Sequence, residues 1–561
     1  MRYSLSQIPF STYGSYLVIS KIEEQGIFLR DMHGGDEAPS NMYRIIIQDH
    51  VDEEIEVKRT ETELRLISKK TKDGMVGFVM EEGDRVHCKV KNLTLIFEAM
   101  GGAYNTLVPL SENRFEHHLY DKQRKIMFTG IQGTIAEKQR FDVIGSKDAK
   151  IMVNTLGRKS ESYITIEGYR TICKKSGRTT YEEAKNTAQH QYQKWENLWN
   201  EDGGCQGEIK NLAIYLTYCN MVCKEGILTS DAMYMSMNWM NNIWSWDNCF
   251  GAIFLSGKKP ELAFGQLKIF FDHQDHSGCY PDYVNETFAS YNCVKPPIFA
   301  WAYEKMRKQN PFFNERERLS QVYQSLCGIT HYWMEYRRDD RAEFPVYYHG
   351  NDSGWDNASV FHKGFPVESP DLSAFLIFQM DWLSKTAHEL GDETASLEWK
   401  IKGDHYFKKY QDHFYIDGQY RAFYVPEGKP IMEGDSLLLY LPILIGYRME
   451  KTVLEQMVKD LEERFESTYG LATEALASNK YKEGGYWLGP MWAPTTYLFI
   501  DALAVNGYKD VAKRLGEKFI KAAAIGLMAE NYNPSTGEGY DDPAFSWSSC
   551  VYLQLCKEYC H

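Results

Sequence analysis

Tyr181-Glu182-Glu183-Ala184-Lys185 opens a polar helical segment that runs out at Asp202-Gly203-Gly204, and the hydrophobic period differs on its two sides. Upstream the apolar residues alternate, as in Tyr43-Arg44-Ile45-Ile46-Ile47, Glu54-Ile55-Glu56-Val57-Lys58 and Glu63-Leu64-Arg65-Leu66-Ile67. Val86-His87-Cys88-Lys89-Val90 and Leu93-Thr94-Leu95-Ile96-Phe97 continue the pattern. A period of two over short runs, separated by Gly, Asp and Asn turns, builds antiparallel sheets, most simply a β-sandwich over 1–180. The stretch 181–204 reads as a linker helix, and its glycines as the clearest boundary in the chain.

Beyond the boundary the period becomes helical. Helices are predicted near 208–226, 245–256, 260–274, 296–309, 313–336, 370–390, 393–414, 435–446, 451–465, 490–506, 508–527 and 545–559. Pro260, Pro297, Pro370 and Pro490 stand where a first helical turn accepts proline. An even run of helical hairpins with long loops points to an α/α toroid over 205–561, since a solenoid would show a constant repeat. Periodicity alone leaves an irregular helical bundle open.

A chain of 561 residues exceeds one ordinary core, which agrees with two domains. The net charge of -14, without a long basic run, argues against a nucleic-acid partner. Met1-Arg2-Tyr3-Ser4-Leu5 lacks the apolar core of a signal peptide, and no later run is long enough to span a bilayer. A cytoplasmic location without membrane attachment is the expectation. None of the 12 cysteines forms a CxxC pair. Cys219/Cys223 and Cys556/Cys560 are spaced i, i+4, so each pair shares a helix face. A metal site needs four converging ligands, so no metal is expected and the thiols read as buried and reduced. His273-Gln274-Asp275-His276 reads as a solvated helix end.

Two acidic motifs interrupt the helices, Asn351-Asp352-Ser353-Gly354-Trp355-Asp356-Asn357 and Glu530-Asn531-Tyr532-Asn533-Pro534-Ser535-Thr536-Gly537-Glu538-Gly539. Gly354, Asn357, Pro534 and Gly537 mark both as loops, where a rigid scaffold carries chemistry. Glycoside hydrolysis needs two such carboxylates, one to protonate the leaving oxygen and one to activate water or attack the sugar. Tryptophan-bearing loops accompany them. Trp244-Ser245-Trp246-Asp247-Asn248 precedes one helix, Tyr486-Trp487-Leu488-Gly489-Pro490-Met491-Trp492 another, and Trp547 follows the second motif. Indole platforms beside Asp and Asn acceptors suit the apolar faces and hydroxyls of sugars. The plainer alternative is that these tryptophans fill a core.

In order, Trp246-Asp247, Ser353-Gly354-Trp355-Asp356-Asn357, Tyr486 to Trp492, Glu530 to Pro534 and Phe545-Ser546-Trp547-Ser548 resemble glycoside hydrolase family 63. The likeness is to its bacterial α-glucosidase and mannosylglycerate-hydrolase-like members, with trehalases more distant, and it covers roughly residues 205–561. It implies an (α/α)6 barrel behind the β-domain and an inverting mechanism at an α-glycosidic bond. It implies Asp356 as general acid, its pKa raised by burial beside Trp355, and Glu530 as the ionised general base. It also implies that Trp246, Asp247, Tyr486, Trp487 and Trp492 line the sugar pocket, with Trp355 and Trp547 beside them.

Other groups compete for these roles. Glu538 is a second base candidate in its loop, and Asp282 a partner for sugar hydroxyls. Asp435 reads as a helix N-cap. Family relatives often carry Glu at Asp352, and Gln at Lys295 before the paired prolines. A lysine there either pairs with an anionic group of the substrate or points to water. The expectation is therefore an exo-acting α-glucosidase for a small disaccharide or glucoside, with no cofactor, since GxGxxG and GKS/GKT motifs are lacking. The alternatives are a hydrolase of a mannosyl or glucosyl conjugate of a small acid, a non-catalytic carbohydrate-binding protein, or a sugar isomerase. Oligomeric state does not follow from these residues.

Overall fold

A computed structural model describes residues 3–155, 161–173, 179–200, 205 and 207–560. The chain divides into two compact units. The first holds Met1–Asp202, Lys210–Asn242 and Asn285–Thr287; the second holds Gly203–Ile209, Ile243–Val284 and Phe288–His561. The boundary glycines 203 and 204 lie outside the described residues.

The first unit carries two antiparallel sheets. One runs Leu17–Ile22, Gly26–Asp31, Asn41–Ile47, Thr94–Ala99, Gly145–Asn154, Ile135–Asp142. The other runs Ile55–Arg59, Leu64–Ser68, Met75–Glu81, Arg85–Lys91, Glu161–Tyr169, Arg124–Gln132, Arg114–Leu119, Thr106–Ser111. Alternation fixes the register: Ile45 pairs with Phe97 and Ile47 with Leu95, while Leu64 pairs with Phe78 on the opposite sheet. All six side chains join one buried cluster between the sheets, which makes the expected sandwich.

Helix α1 (Tyr181–Asn200), expected as a linker, is fastened to this sandwich. The Tyr181 hydroxyl donates to Glu63 at 3.2 Å, and Tyr181, Ala184 and Ala188 pack with Val79 and Tyr163. Helix α2 (Glu208–Cys219) groups with the same unit from Lys210 onward, whereas Gly203–Ile209 groups with the second. The reason is aromatic. Tyr215 donates to the Pro9 carbonyl at 3.1 Å, and the Trp195 indole donates to Thr217 at 3.3 Å.

The second unit is helical: α3 (Asp247–Ser256), α4 (Pro260–Asp272), α5 (Phe299–Gln309), α6 (Arg316–Tyr336), α7 (Pro370–Glu389), α8 (Glu393–Phe414), α9 (Lys451–Asp460), α10 (Ala493–Val505), α11 (Lys509–Gly526) and α12 (Ser546–Tyr559). Between α8 and α9, Leu437–Arg448 forms a 3-10 segment, because Pro442 inside it lacks a donor and clashes with the preceding turn. Six segments close a ring, α3 to α5, α7, 437–448, α10, α12 and back to α3. Every residue of α3 is buried, as is nearly all of α10, whereas α8 buries only four, so the apolar helices face inward and the amphipathic ones cover them. This is the (α/α)6 barrel. Pro260 and Pro370 open their helices as expected, but Pro297 and Pro490 precede theirs, and Pro494 takes the first turn of α10.

Candidate active site

The two acidic motifs converge in the helical unit. The first is a 3-10 turn, Gly350–Ser353, continued to Asn357. The second is a hairpin of Asn531–Tyr532 against Gly539–Tyr540, paired in turn with Met491–Trp492. Glu530 thus sits at the mouth of a small sheet that also holds Trp492.

Asp352 organises the first turn. Its carboxylate accepts from the backbone N–H of Val294 at 3.1 Å, Tyr348 at 2.9 Å and His349 at 3.0 Å, and pairs with Arg337. Gly354 has φ of 71°, and a Cβ there would lie 2.7 Å from the Trp246 indole, so only glycine lets the turn lie on that ring. Asn357 ties this loop to the next. Its Oδ1 accepts from Trp487 N at 2.9 Å and its Nδ2 donates to the Gly485 carbonyl at 3.0 Å. Tyr486, between them, is held at φ of 63° and donates through its phenol to Glu530 Oε1 at 3.0 Å.

The electrostatics depart from expectation. Burial, then the charges of Asp541 and Asp542, push Glu530 up to about 8 against the hydrogen bond from Tyr486. The sequence alone suggests an ionised Glu530 and a raised carboxyl at Asp356. Glu530 is raised because it is buried, 4% exposed, beside two further aspartates. Tyr486 feels both candidates: burial first, then Glu530 and Asp356, hold its phenol well above the usual value. Asp247, at the start of α3, is pushed by burial up to about 7 although Lys295 pulls it down. Asp282 is raised by burial as well.

Lys295 neither points to water nor stands free. It is buried, with Nζ donating to the Asn351 carbonyl at 2.9 Å and to Asn351 Oδ1, and lying 3.4 Å from Asp282 Oδ1. Burial opposes its charge, yet Asp282, Asp356 and Asp247 hold the ammonium above its usual value. Two donors are spent on Asn351 and the charge faces Asp282, so Lys295 ties the loops together.

The tryptophans are one buried cluster. Trp487 and Trp492 stack at 4.0 Å and 6°, Trp355 lies 4.7 Å from Trp487, and Trp246 and Trp547 close the group at 6.3 Å. All five are at most 5% exposed. The loops fold the rings onto one another, so the five indoles pack as one group. Of the other candidates, Glu538 is exposed, and Asp435 pairs with Arg464 while Ser436 caps the following segment.

Among the described residues, several polar atoms here are shut off from solvent without a hydrogen-bond partner: Asp247 Oδ2, Asp356 Oδ1 and Trp487 Nε1. Buried polar groups are nearly always satisfied. The two acceptors and one donor, from the start of α3 and from two loops, suit a polyhydroxylated ligand. The tie through Asn357 was missed in the sequence, although the residue stands in the quoted motif.

Residues 240–548 match the family described as the mannosylglycerate hydrolase MGH1-like glycoside hydrolase domain. The mannosylglycerate hydrolase of Rubrobacter radiotolerans is 32% identical over 437 residues, covering 60% of this chain and 97% of that protein. That of Thermus thermophilus is 22% identical over 396 residues, covering 55% and 93%. A bacterial glucoamylase complexed with acarbose aligns over 99% of this chain and 94% of its own, with a TM-score of 0.62 at 11% identity. The GH63 mannosylglycerate hydrolase from Thermus thermophilus in complex with glucose aligns over 62% and 99%, with a TM-score of 0.54 at 18% identity. Both structural likenesses bear out the barrel, and the resemblance to glycoside hydrolase family 63 holds. The chain belongs to the mannosylglycerate hydrolase MGH1-like glycoside hydrolase family and is a glycosidase.

Proposed function

We propose that this glycosidase hydrolyses an α-mannosyl or α-glucosyl conjugate of a small hydroxy acid such as glycerate, from the sugar end and with inversion. The observation that carries the sugar site is the set of orphaned polar atoms on Asp247, Asp356 and Trp487 at the tryptophan cluster. The mannosylglycerate hydrolases among its relatives, with a glucosylglycerate hydrolase 33% identical over 86 residues, favour the acid conjugate. Asp356 protonates the glycosidic oxygen. Glu530, once ionised, takes a proton from water on the far face of the ring, and Tyr486 steadies that carboxylate. Asp247 accepts from sugar hydroxyls, and the tryptophans fix the floor of the pocket.

A small α-glucoside or disaccharide is the second reading, favoured by Lys295, whose buried ammonium is bonded to Asn351 and paired with Asp282 within the protein. Product NMR on mannosylglycerate, glucosylglycerate and a set of α-linked disaccharides separates the two. The acid-conjugate reading requires kcat/KM on a glycerate conjugate at least tenfold above any disaccharide. The reverse order supports the second reading and ends the first.

A further inference from the structure

Cys205, which no local motif singles out, lies beside the two cysteines at the C-terminal end of α12. The Sγ atoms of Cys205, Cys556 and Cys560 all lie within 4.8 Å of one another, and those of Cys205 and Cys560 are 2.9 Å apart. Cys556 and Cys560 share one helix face, and Cys560 caps the helix, its N–H donating to the Cys556 carbonyl at 3.1 Å. The third thiol comes from the segment that opens the helical unit, so the cluster joins the two ends of that unit.

We propose that Cys205, Cys556 and Cys560 form a binding site for a thiophilic divalent ion of the zinc type. Tetrahedral thiolate coordination at about 2.3 Å sets sulfurs about 3.8 Å apart, so the Cys205–Cys560 pair opens by less than about 1 Å to admit the ion. Binding forms three metal–sulfur bonds and releases the thiol protons to solvent, leaving a fourth position for water. One further feature favours a cation here. The C-terminal pole of α12 is negative, which disfavours free thiolates and favours a positive charge among them. Another cluster, His33, Asp84 and Glu225 in the first unit, lacks this quality. Arg124 already neutralises it, at 2.7 Å from Asp84 and 2.8 Å from Glu225.

The test uses the full chain, reduced, freed of reductant under anaerobic conditions and titrated with Co2+ and then Zn2+. The expected result is a thiolate-to-cobalt charge-transfer band that saturates at one ion per chain and is bleached by Zn2+. Cys205→Ser and Cys556→Ser should each weaken uptake at least tenfold while keeping glycosidase activity. A Cys219→Ser/Cys223→Ser variant, which removes the other i, i+4 pair, should bind as the parent does. Absence of the band, uptake that survives in Cys205→Ser, or equal loss in the Cys219/Cys223 variant overturns the site. So does a Cys205–Cys560 disulfide in place of metal uptake, read as a loss of two mass units.

Discussion

The Tyr486 phenol donates to Glu530 Oε1 at 3.0 Å from a backbone held at φ of 63°, a conformation that a bulky residue adopts only when its surroundings impose it. Three contacts impose it here. Trp487 N is bound by Asn357, Trp492 Nε1 donates to the Tyr486 carbonyl at 3.0 Å, and the phenol ends on Glu530. One residue therefore links the loop of Asp356 to the loop of Glu530.

Tyr486→Phe removes the hydrogen bond that favours ionised Glu530. The acidic limb of kcat/KM should move to higher pH by about 0.5–1 unit, with a loss of roughly tenfold at neutral pH. Circular dichroism should show an intact fold. A limb that does not move would detach Tyr486 from the charge state of Glu530.

With Glu530 pushed up to about 8 and acting as base, wild-type kcat/KM should climb with pH below that value and level off above it. An acid role for Glu530 would give the opposite, a fall above about 8. The stability consequence has a definite sign. A carboxyl raised from 4.5 binds its proton more tightly in the folded state, so its contribution falls as pH rises from 4.5 toward 8. Glu530→Gln should therefore raise Tm at pH 8 more than at pH 5. Equal Tm changes at both pH values would contradict the buried, raised carboxyl.

Asp356→Asn and Glu530→Gln should each cost about 10²–10⁴ in turnover of natural glycosides. A glycosyl fluoride needs no proton on its leaving group, so Asp356→Asn should recover most of its rate on that substrate and Glu530→Gln should not. Recovery by the glutamine variant instead would exchange the two roles.

Trp487→Ala opens a cavity in a cluster where the ring is 1% exposed, and Trp246→Ala does so at 2%. Each should destabilise by about 3–5 kcal/mol, besides lowering activity. Thermal unfolding measures this. An unchanged Tm with weakened sugar affinity would support the open-platform reading and contradict the packed cluster.

What was legible in the sequence was what local period encodes. Ile45, Ile47, Leu64 and Leu66 alternate because one face of each strand meets the opposing sheet, and that core is the one found. Helices such as 393–414 and 260–274 fall within two residues of expectation, since stripe and proline mark them. What was not legible depends on partners far along the chain. Trp487 in its loop looks like a platform until Trp492 stacks on it and Trp355 arrives from the other motif. Lys295 looks free until Asn351 and Asp282 surround it. The rise of Glu530 was not legible, because nothing local reveals that Asp541 and Asp542 fold against it.

The central claim is that Asp356 and Glu530 flank a water rather than attack the sugar directly. Proton NMR of the anomeric signal in the first minutes of hydrolysis of an α-mannosyl or α-glucosyl glycerate, before mutarotation, tests it most directly. Inverting carboxyls, about 6.5–9.5 Å apart, release the β-anomer first, and that is the predicted result. An initial burst of α-anomer would mean a covalent glycosyl-enzyme and would contradict the account.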